Sequence, residues 1–250
     1  GRPYVAWCWK AGGAAVSNSD GSITSSVSAN QEAGFSIVTF TGTGSAGTVG
    51  HGLGKAPDVV ITKRRNASQA WFTHHKGLSN GHYIRLNATN AQGGDTNVYP
   101  NNMSTTNTFA VGGDDGVNGN GSTYVSYCWH SVPGYSKFGS WEGNGSSNGP
   151  FVFTGFRPAM IFYKRIDASD NWGIHDNKRD VDNPIQRFLY PDYNYAEWTG
   201  GTNDHCDFYS NGFKMQNLGT MIGGAGEQYI YMAFASHPGD DVFDLLSEAN

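Results

Sequence analysis

The chain repeats part of its own sequence at a constant spacing, and this internal similarity constrains the fold more than any other feature. Residues 56–87 match the segment 101 positions further along at five features, without a gap. These are Pro57 with Pro158, Lys63-Arg64 with Lys164-Arg165, Ala67-Ser68 with Ala168-Ser169, Trp71 with Trp172, and His74 with His175. Self-similarity of this kind predicts two copies of one structural unit.

The similarity returns in a strand-like segment that closes each unit. Residues 121–125 match residues 226–230, and the N-terminal residues 4–9 resemble residues 124–129. The chain is therefore predicted to begin with the closing strand of a preceding unit. We predict four parts: residues 1–33 contain that strand and a linker, 34–136 form the first unit, 137–239 form the second unit, and 240–250 are a C-terminal tail.

Short apolar or alternating segments, typical of β-strands, make up each unit. Residues 35–40 largely alternate between apolar and polar side chains, and residues 59–63 and 159–163 are mostly apolar runs shortly after a proline. The 35 glycines and the many aromatic residues favour tight turns and strands over helices. The predicted fold class is all-β, with two tandem β-sandwich repeats of jelly-roll or lectin-like type and short or no helices. Helical patterning is confined to residues 240–250, and residues 12–32, rich in Ser, Asn and Ala, are predicted to be a linker or a loosely packed connection.

Charge and cysteine content exclude several classes of protein. The net charge of −5 is not accompanied by a basic stripe, so no nucleic-acid partner is predicted. No apolar run approaches the roughly 20 residues that span a bilayer, so membrane insertion is not predicted. The three cysteines have no Cys-Xaa-Xaa-Cys spacing and are predicted to be buried free thiols. Neither a cofactor nor a metal is predicted. The loop with Asp114 and Asp115 lacks the Glu that usually closes a calcium site, which favours a turn, but whether these two carboxylates bind an ion stays open.

The repeat also argues against catalysis. Residues that recur in both units, such as Trp71 with Trp172, are best explained by the needs of a shared fold, because an active site is normally assembled once. Residues 145–149 fit the nucleophile-elbow pattern but lie in a Gly/Asn/Ser loop. The carboxylate pairs Asp167/Asp170 and Asp204/Asp207 could serve glycoside hydrolysis only at a spacing that sequence does not establish. We therefore predict that the protein is not an enzyme.

Four phrases of the sequence resemble a known family. They are residues 34–44 (GFSIVTFTGTG), 49–57 (VGHGLGKAP), 134–139 (GYSKFG) and 229–235 (YIYMAFA). The chain is similar in them to a repeat module of large virion proteins of tailed phages, which often follows a concanavalin-like, laminin-G type domain. The resemblance implies a structural component of the virion, made in the host cytoplasm, such as a tail fibre or another host-facing appendage. It also implies a homo-oligomer, with a trimer favoured, that contacts other virion proteins. It carries over no catalytic residue.

Recognition is expected where the two units differ. Only the second unit has an aromatic-rich stretch before its last strands, and the predicted ligand-binding residues are Tyr190, Tyr193, Tyr195, Glu197 and Trp198. Aromatic faces beside polar groups suit the apolar C–H face and the hydroxyl rim of a sugar, so a host surface glycan is the expected ligand. Two alternatives stay open. The same rings could fill a contact between units or subunits in an architectural head-fibre or capsid-decoration protein, or the chain could be a polysaccharide depolymerase.

Overall fold

The computed structural model describes residues 5–198, 205–216 and 223–235, and their regular structure is entirely β-strand. The strands of the first half are β1 (Val16–Asn18), β2 (Ser25–Asn30), β3 (Phe35–Thr41), β4 (Gly47–Gly50), β5 (Val59–Arg64), β6 (Trp71–His75), β7 (His82–Arg85), β8 (Gly93–Gly94), β9 (Thr108–Val111) and β10 (Thr123–Trp129). Those of the second half are β11 (Ser136–Glu142), β12 (Asn148–Phe153), β13 (Pro158–Arg165), β14 (Trp172–Asp176), β15 (Phe188–Leu189), β16 (His205–Tyr209), β17 (Gly212–Gln216) and β18 (Gln228–Ala235). The predicted all-β class is confirmed.

Helices play no part in the described residues. In particular, none of these residues belongs to a helix that is long and apolar enough to cross a membrane. The helical pattern predicted for residues 240–250 lies outside the described part of the chain.

The strands form two large sheets, each faced by a small one. The first large sheet has the order β1-β2-β3-β10-β5-β6-β7-β8 and is accompanied by the pair β4-β9. The second large sheet has the order β11-β18-β13-β14-β15 and is accompanied by β12-β17-β16. All of the ladders within these sheets are antiparallel. Each large sheet and its small partner enclose one hydrophobic core, which is the arrangement of a β-sandwich.

The two halves order and pair their strands in the same way. The run β3-β10-β5-β6-β7 of the first large sheet corresponds to β11-β18-β13-β14-β15 of the second. His74 lies opposite Val60 in the first sheet, and His175 lies opposite Ile161 in the second, which preserves the spacing of 101 residues. Residues shared by the two sequences therefore have equivalent neighbours in the two sheets. The domain boundaries at residues 33/34 and 136/137 stay a prediction.

Alternation along the closing strands divides their side chains between two apolar layers. On β10, Tyr124 and Cys128 point into the first sandwich core, where the Tyr124 ring stacks on Phe40. Trp129 points to the opposite face and stacks on Phe35. Burying each of these side chains contributes roughly 1.5–3 kcal/mol. The large sheets are thus apolar on both faces along their centre.

The outer faces of the two large sheets pack against each other. Phe35, Val59 and Trp129 of the first sheet share an apolar cluster with Met232 and Phe234 of the second. The same interface contains hydrogen bonds between the halves. The indole Nε1 of Trp172 donates to the main-chain oxygen of Arg85 at 2.9 Å, and the Gln92 N–H donates to the main-chain oxygen of Ile166 at 2.9 Å. The molecule is consequently a stack of four sheets.

The N-terminal segment does not form the strand that its sequence predicts. Residues 5–9 contain no strand, although they resemble the closing strands. The Trp9 ring instead packs edge-on against Trp129 at 5.9 Å and Phe234 at 5.3 Å, and Trp7 lies 6.4 Å from Phe162. Both indoles cover the edge of the interface between the sandwiches, so aromatic burial there replaces strand pairing.

The linker predicted for residues 12–32 is wrong. Strands β1 and β2 lie within this segment and extend the first large sheet beyond β3. Val27 and Ile23 are buried in the first sandwich core, and the Ser25 hydroxyl donates to the main-chain oxygen of Gly50 at 2.9 Å. Small polar side chains suit this position because β2 has one apolar face and its ladder with β3 satisfies the main chain.

Candidate functional site

The predicted ligand-binding residues lie on one loop that follows β15. The loop closes on itself, because the main-chain N–H groups of Phe188 and Trp198 each donate to the oxygen of the other residue, at 3.3 and 3.1 Å. The carboxylate of Asp192 accepts a hydrogen bond from the main-chain N–H of Trp172 at 3.2 Å, which fastens the loop to β14. The second large sheet therefore holds both the ends and the middle of the loop.

The four predicted aromatic residues form a connected cluster on this loop. The fully buried Phe188 ring supports it and lies 4.9 Å from Tyr190 and 6.2 Å from Trp198. Tyr195 lies 5.6 Å from Tyr190 and 4.0 Å from Tyr193, between ring centroids. Tyr193, Tyr195 and Trp198 remain 49, 59 and 47% exposed, respectively. The structure thus brings these residues together and leaves about half of three rings open to solvent.

The fifth predicted residue, Glu197, is held by two arginines. One carboxylate oxygen lies 3.4 Å from Nη1 of Arg187, and the other lies 3.7 Å from Nη1 of Arg179. Arg179 is itself almost fully buried, and its Nε donates to Asp176 at 2.6 Å. Glu197 is partly buried, and its carboxylate lies between these two cations next to the aromatic cluster.

The electrostatics of the loop favour a neutral phenol on its surface, and burial opposes charge on the groups beneath it. The pKa of Tyr195 is raised, chiefly by its hydrogen-bonding interaction with the Tyr193 phenol. Below the loop, burial raises the pKa of Asp192, while burial lowers the pKa of the Lys164 ammonium to about 8. Tyr195 therefore stays a neutral donor at physiological pH.

The residues weighed for catalysis are engaged in structural contacts. Although burial opposes it, the hydrogen bond from Arg165 Nε at 2.8 Å holds the pKa of Asp167 below its usual value. Asp207 accepts a hydrogen bond from Gln216 at 2.8 Å, whereas Asp204 lies outside the described residues. Residues 145–149 lead directly into β12, so they lack the strand-to-helix setting of a nucleophile elbow.

The histidines that recur in the two copies are also structural. The ring of His175 stacks on Tyr163 at 5.6 Å, and its Nδ1 donates to the main-chain oxygen of Arg187 at 3.1 Å. Burial lowers the pKa of His175 to about 4. Trp172 and His175 face opposite sides of the sheet, as their spacing along the strand predicts.

Metal-binding groups do not converge in the described residues. No cluster of three or more His, Cys, Asp or Glu side chains that could hold an ion occurs there. Asp114 accepts a hydrogen bond from the Gly116 N–H at 2.7 Å, and Asp115 forms an ion pair with Arg64. Both carboxylates thus have protein partners, as in a turn.

The three cysteines are unpaired thiols, and two of them have the predicted burial. Cys128 and Cys206 are buried, whereas Cys8 is exposed, so the prediction of burial is wrong for Cys8. The reason is that the N-terminal segment lies on the surface and turns Trp7 and Trp9 inward, on either side of Cys8.

A second group of exposed aromatic rings was not predicted from the sequence. Phe151, Phe153 and Tyr209 project from the small sheet β12-β17-β16 and are 46, 57 and 40% exposed. Residues 151–153 (FVF) form a continuous apolar run, which predicts a strand but does not indicate which of its side chains are buried. The first copy gives the signal that could have found them, since Val49, the counterpart of the inward Val152, is flanked by Thr48 and Gly50.

Comparison with known proteins gives one match. Residues 1–238 match the model of a family described as a domain of unknown function, DUF7483. The chain belongs to the DUF7483 family. The match includes both sandwiches of the DUF7483 chain and the aromatic loop after β15. No curated protein and no solved structure matches it.

Proposed function

We propose that this DUF7483 chain is a non-enzymatic, glycan-binding module of a tailed-phage virion, carried on a tail fibre or another host-facing appendage. The observation that carries the proposal is the aromatic loop, where Tyr193, Tyr195 and Trp198 expose about half of their surface beside Glu197. Exposed aromatic faces together with fixed polar groups are the complement of a sugar ring. The phage setting rests on the sequence resemblance alone.

Preorganisation of the loop supports a binding role. Its ends are joined by main-chain hydrogen bonds, and Asp192 fastens its middle to β14. Two arginines flank the carboxylate of Glu197, so a charged acceptor accompanies the rings on the same loop. A ligand that binds a preformed surface loses less affinity to the ordering of side chains and loops.

Differences between the copies support the same conclusion. The fold is built twice from equivalent strands, but the aromatic loop occurs in the second copy alone. Exposed rings contribute little to the stability of a sandwich, so the shared fold gives no reason for them. Binding of a ligand is a sufficient reason.

Binding to an array of bacterial surface polysaccharides, followed by adsorption to cells that carry the bound glycan, tests the proposal. We expect the triple variant Tyr193→Ala/Tyr195→Ala/Trp198→Ala to lose at least about tenfold in affinity, because each stacked ring contributes roughly 0.5–1.5 kcal/mol. Tyr195→Phe keeps the ring and should retain most of the binding. Val16→Ser, at a residue that is 66% exposed on the first sandwich, is the control for a surface substitution.

Two results would count against a receptor-binding loop. Wild-type protein that binds no glycan on the array is one, and equal binding by the triple variant is the other. If the triple variant instead dissociates an oligomer that the wild type forms, as measured by light scattering, the loop is an architectural contact. Release of reducing ends from a bound polysaccharide would favour a depolymerase.

A further inference from the structure

The small sheet of the second sandwich has an aromatic outer face. Side chains alternate along its strands, so Val152, Phe208 and Phe213 point into the core while Phe151, Phe153 and Tyr209 point out. The three outward rings are 46, 57 and 40% exposed. We define Phe151, Phe153 and Tyr209 as the aromatic face.

Contacts within the small sheet and with Lys137 of β11 hold these rings in place. Phe151 and Tyr209 pack edge to face with ring centroids 5.9 Å apart, and Phe151 and Phe153 follow each other at a two-residue spacing of roughly 6.5 Å along β12. The Phe151 ring lies over Gly212, where an added Cβ would come within 2.6 Å of the ring carbon Cζ. Lys137 Nζ lies 4.9 Å from the centroid of Phe153 and donates to its main-chain oxygen at 2.8 Å.

Polar groups lie between the rings on the neighbouring strands. The Asp207 carboxylate accepts hydrogen bonds from Gln216 Nε2 at 2.8 Å and from the Tyr209 hydroxyl at 3.3 Å. On the central strand, the Lys214 ammonium donates to the side-chain oxygen of Asn148. Charged and amide groups are thus fixed at the level of the rings, where hydroxyl groups of a ligand would meet them.

The first sandwich lacks these rings at the matching positions. Val152 lies opposite Phe213 in β12-β17, as Val49 lies opposite Phe109 in β4-β9. The residues that flank Val49 are Thr48 and Gly50, so the same strand pair forms without an aromatic outer face. The fold therefore does not require Phe151 and Phe153.

We propose that the aromatic face is a second binding site, for an extended β-linked polysaccharide whose flat sugar rings stack on Phe151 and Phe153. The exposed ring surface amounts to roughly 300 Å² in total, which is far below the about 800 Å² that each partner contributes to a standard protein interface. A second copy of the chain would need much more contact than these rings give, whereas a few sugar units match their extent. Side chains on a strand recur at a fixed spacing, which suits a ligand that also repeats along its length.

This site shares its ligand class with the proposed function but depends on different residues. The loop after β15 belongs to the second large sheet, and the aromatic face belongs to the small sheet on the other side of the second core. Variants of the two sites can therefore be tested separately, and failure of one proposal is distinguishable from failure of the other.

Calorimetric titration of the full chain with cellohexaose, chitohexaose and xylohexaose tests the proposal. We expect binding of at least one hexasaccharide, and we expect Phe151→Leu/Phe153→Leu to weaken it at least about fivefold, because stacking on each ring contributes a factor of about 2–10. Leucine keeps the apolar character but removes the flat ring. Phe153→Tyr, which keeps the ring, should bind as the wild type does.

Val16→Ser, at an exposed residue of the first sandwich, is the control and should retain hexasaccharide binding. The loop variant Tyr193→Ala/Tyr195→Ala/Trp198→Ala is titrated alongside, because a loss confined to it would place the binding on the loop. All variants should keep the wild-type unfolding midpoint, because the substituted rings are 40% or more exposed. The proposal is overturned if the wild type binds none of the three sugars at millimolar concentration, or if the leucine variant binds equally well. It is also overturned if binding is lost only in the loop variant. Concentration-dependent association that Phe151→Ser/Phe153→Ser abolishes, without sugar binding, would instead assign the face to a second copy.

Discussion

The imidazole of His75 donates a hydrogen bond from Nε2 to the main-chain oxygen of Tyr231, 3.0 Å away, across the interface between the two sandwiches. Its Nδ1 accepts a hydrogen bond from the N–H of Gly77 at 3.0 Å. A protonated imidazole could not accept this second bond. The interface therefore requires a neutral His75, and burial lowers the pKa of this histidine to about 4.

This hydrogen bond predicts an acid-sensitive interface. Above pH 6.5 the folded and unfolded states are both neutral at His75, so the histidine makes no pH-dependent contribution. Between pH 6.5 and 4 the unfolded state binds a proton that the folded state excludes, and stability falls by up to about 1.4 kcal/mol per pH unit for one such group. His75→Gln should reduce the slope of the unfolding free energy against pH within this window, while other buried histidines, such as His175, continue to contribute. An identical slope for variant and wild type would show that His75 is not the group responsible.

The repeat provides a matched pair of tryptophans that differ in burial. Trp172 is 2% exposed and donates to Arg85 of the other sandwich, whereas Trp71 is half-buried and stacks on Tyr127. We expect Trp172→Ala to cost about 3–5 kcal/mol in the free energy of unfolding. Trp71→Ala should cost about 1–2 kcal/mol, because less apolar area is lost. Chemical denaturation of both variants checks the order, which equal losses would contradict.

The buried ion pair of Asp176 and Arg179 predicts a large effect from one small substitution. Asp176 is 2% exposed and accepts hydrogen bonds from the main-chain N–H groups of Lys178 and Arg179 as well as from the guanidinium. Asp176→Asn leaves the buried guanidinium with less compensation and should cost about 3–5 kcal/mol. Asp167→Asn, whose carboxylate is 35% exposed in its pair with Arg165, should cost about 1 kcal/mol or less. Urea midpoints that shift equally for the two variants would refute this difference.

The turn at Asp114 and Asp115 predicts that calcium does not change the stability of the protein. Asp115 is 59% exposed in its ion pair with Arg64, so Asp115→Ala should cost less than about 1 kcal/mol. Thermal unfolding midpoints should be the same in calcium chloride and in EDTA. A midpoint that calcium raises in the wild type, but not in Asp114→Ala, would establish an ion site there.

The strands that recur in both copies could be predicted from the sequence. Strands β5 and β13 are apolar runs after a proline, and β6 and β14 begin at the repeated tryptophans, so local pattern and repeat indicate the same segments. The loop from Tyr190 to Trp198 could be identified because it breaks the repeat. The contact of Glu197 with Arg179 and Arg187 could not be predicted from the sequence, since those side chains meet only after the chain folds.

Strand β2 shows why other parts could not be predicted. Its sequence has one large apolar side chain, Val27, among serines, alanine and asparagine, which is also the composition of a linker. The strand forms because β3 offers it a ladder of main-chain partners, and that is a tertiary contact. The outward orientation of Phe151 and Phe153 could not be predicted for a similar reason. Burial of the smaller Val152 between them depends on the register with β17.

The order of strands in the large sheets has a consequence for synthesis on the ribosome. Each closing strand, β10 or β18, is the last strand of its half within the described residues, yet it lies between two strands made earlier, β3 and β5 or β11 and β13. Until the closing strand emerges from the ribosome, its two neighbours in the large sheet lack their shared partner and present unpaired edges. Each half must therefore be translated almost completely before it can fold, and crowded polysomes are the setting in which nascent copies would pair wrongly with one another.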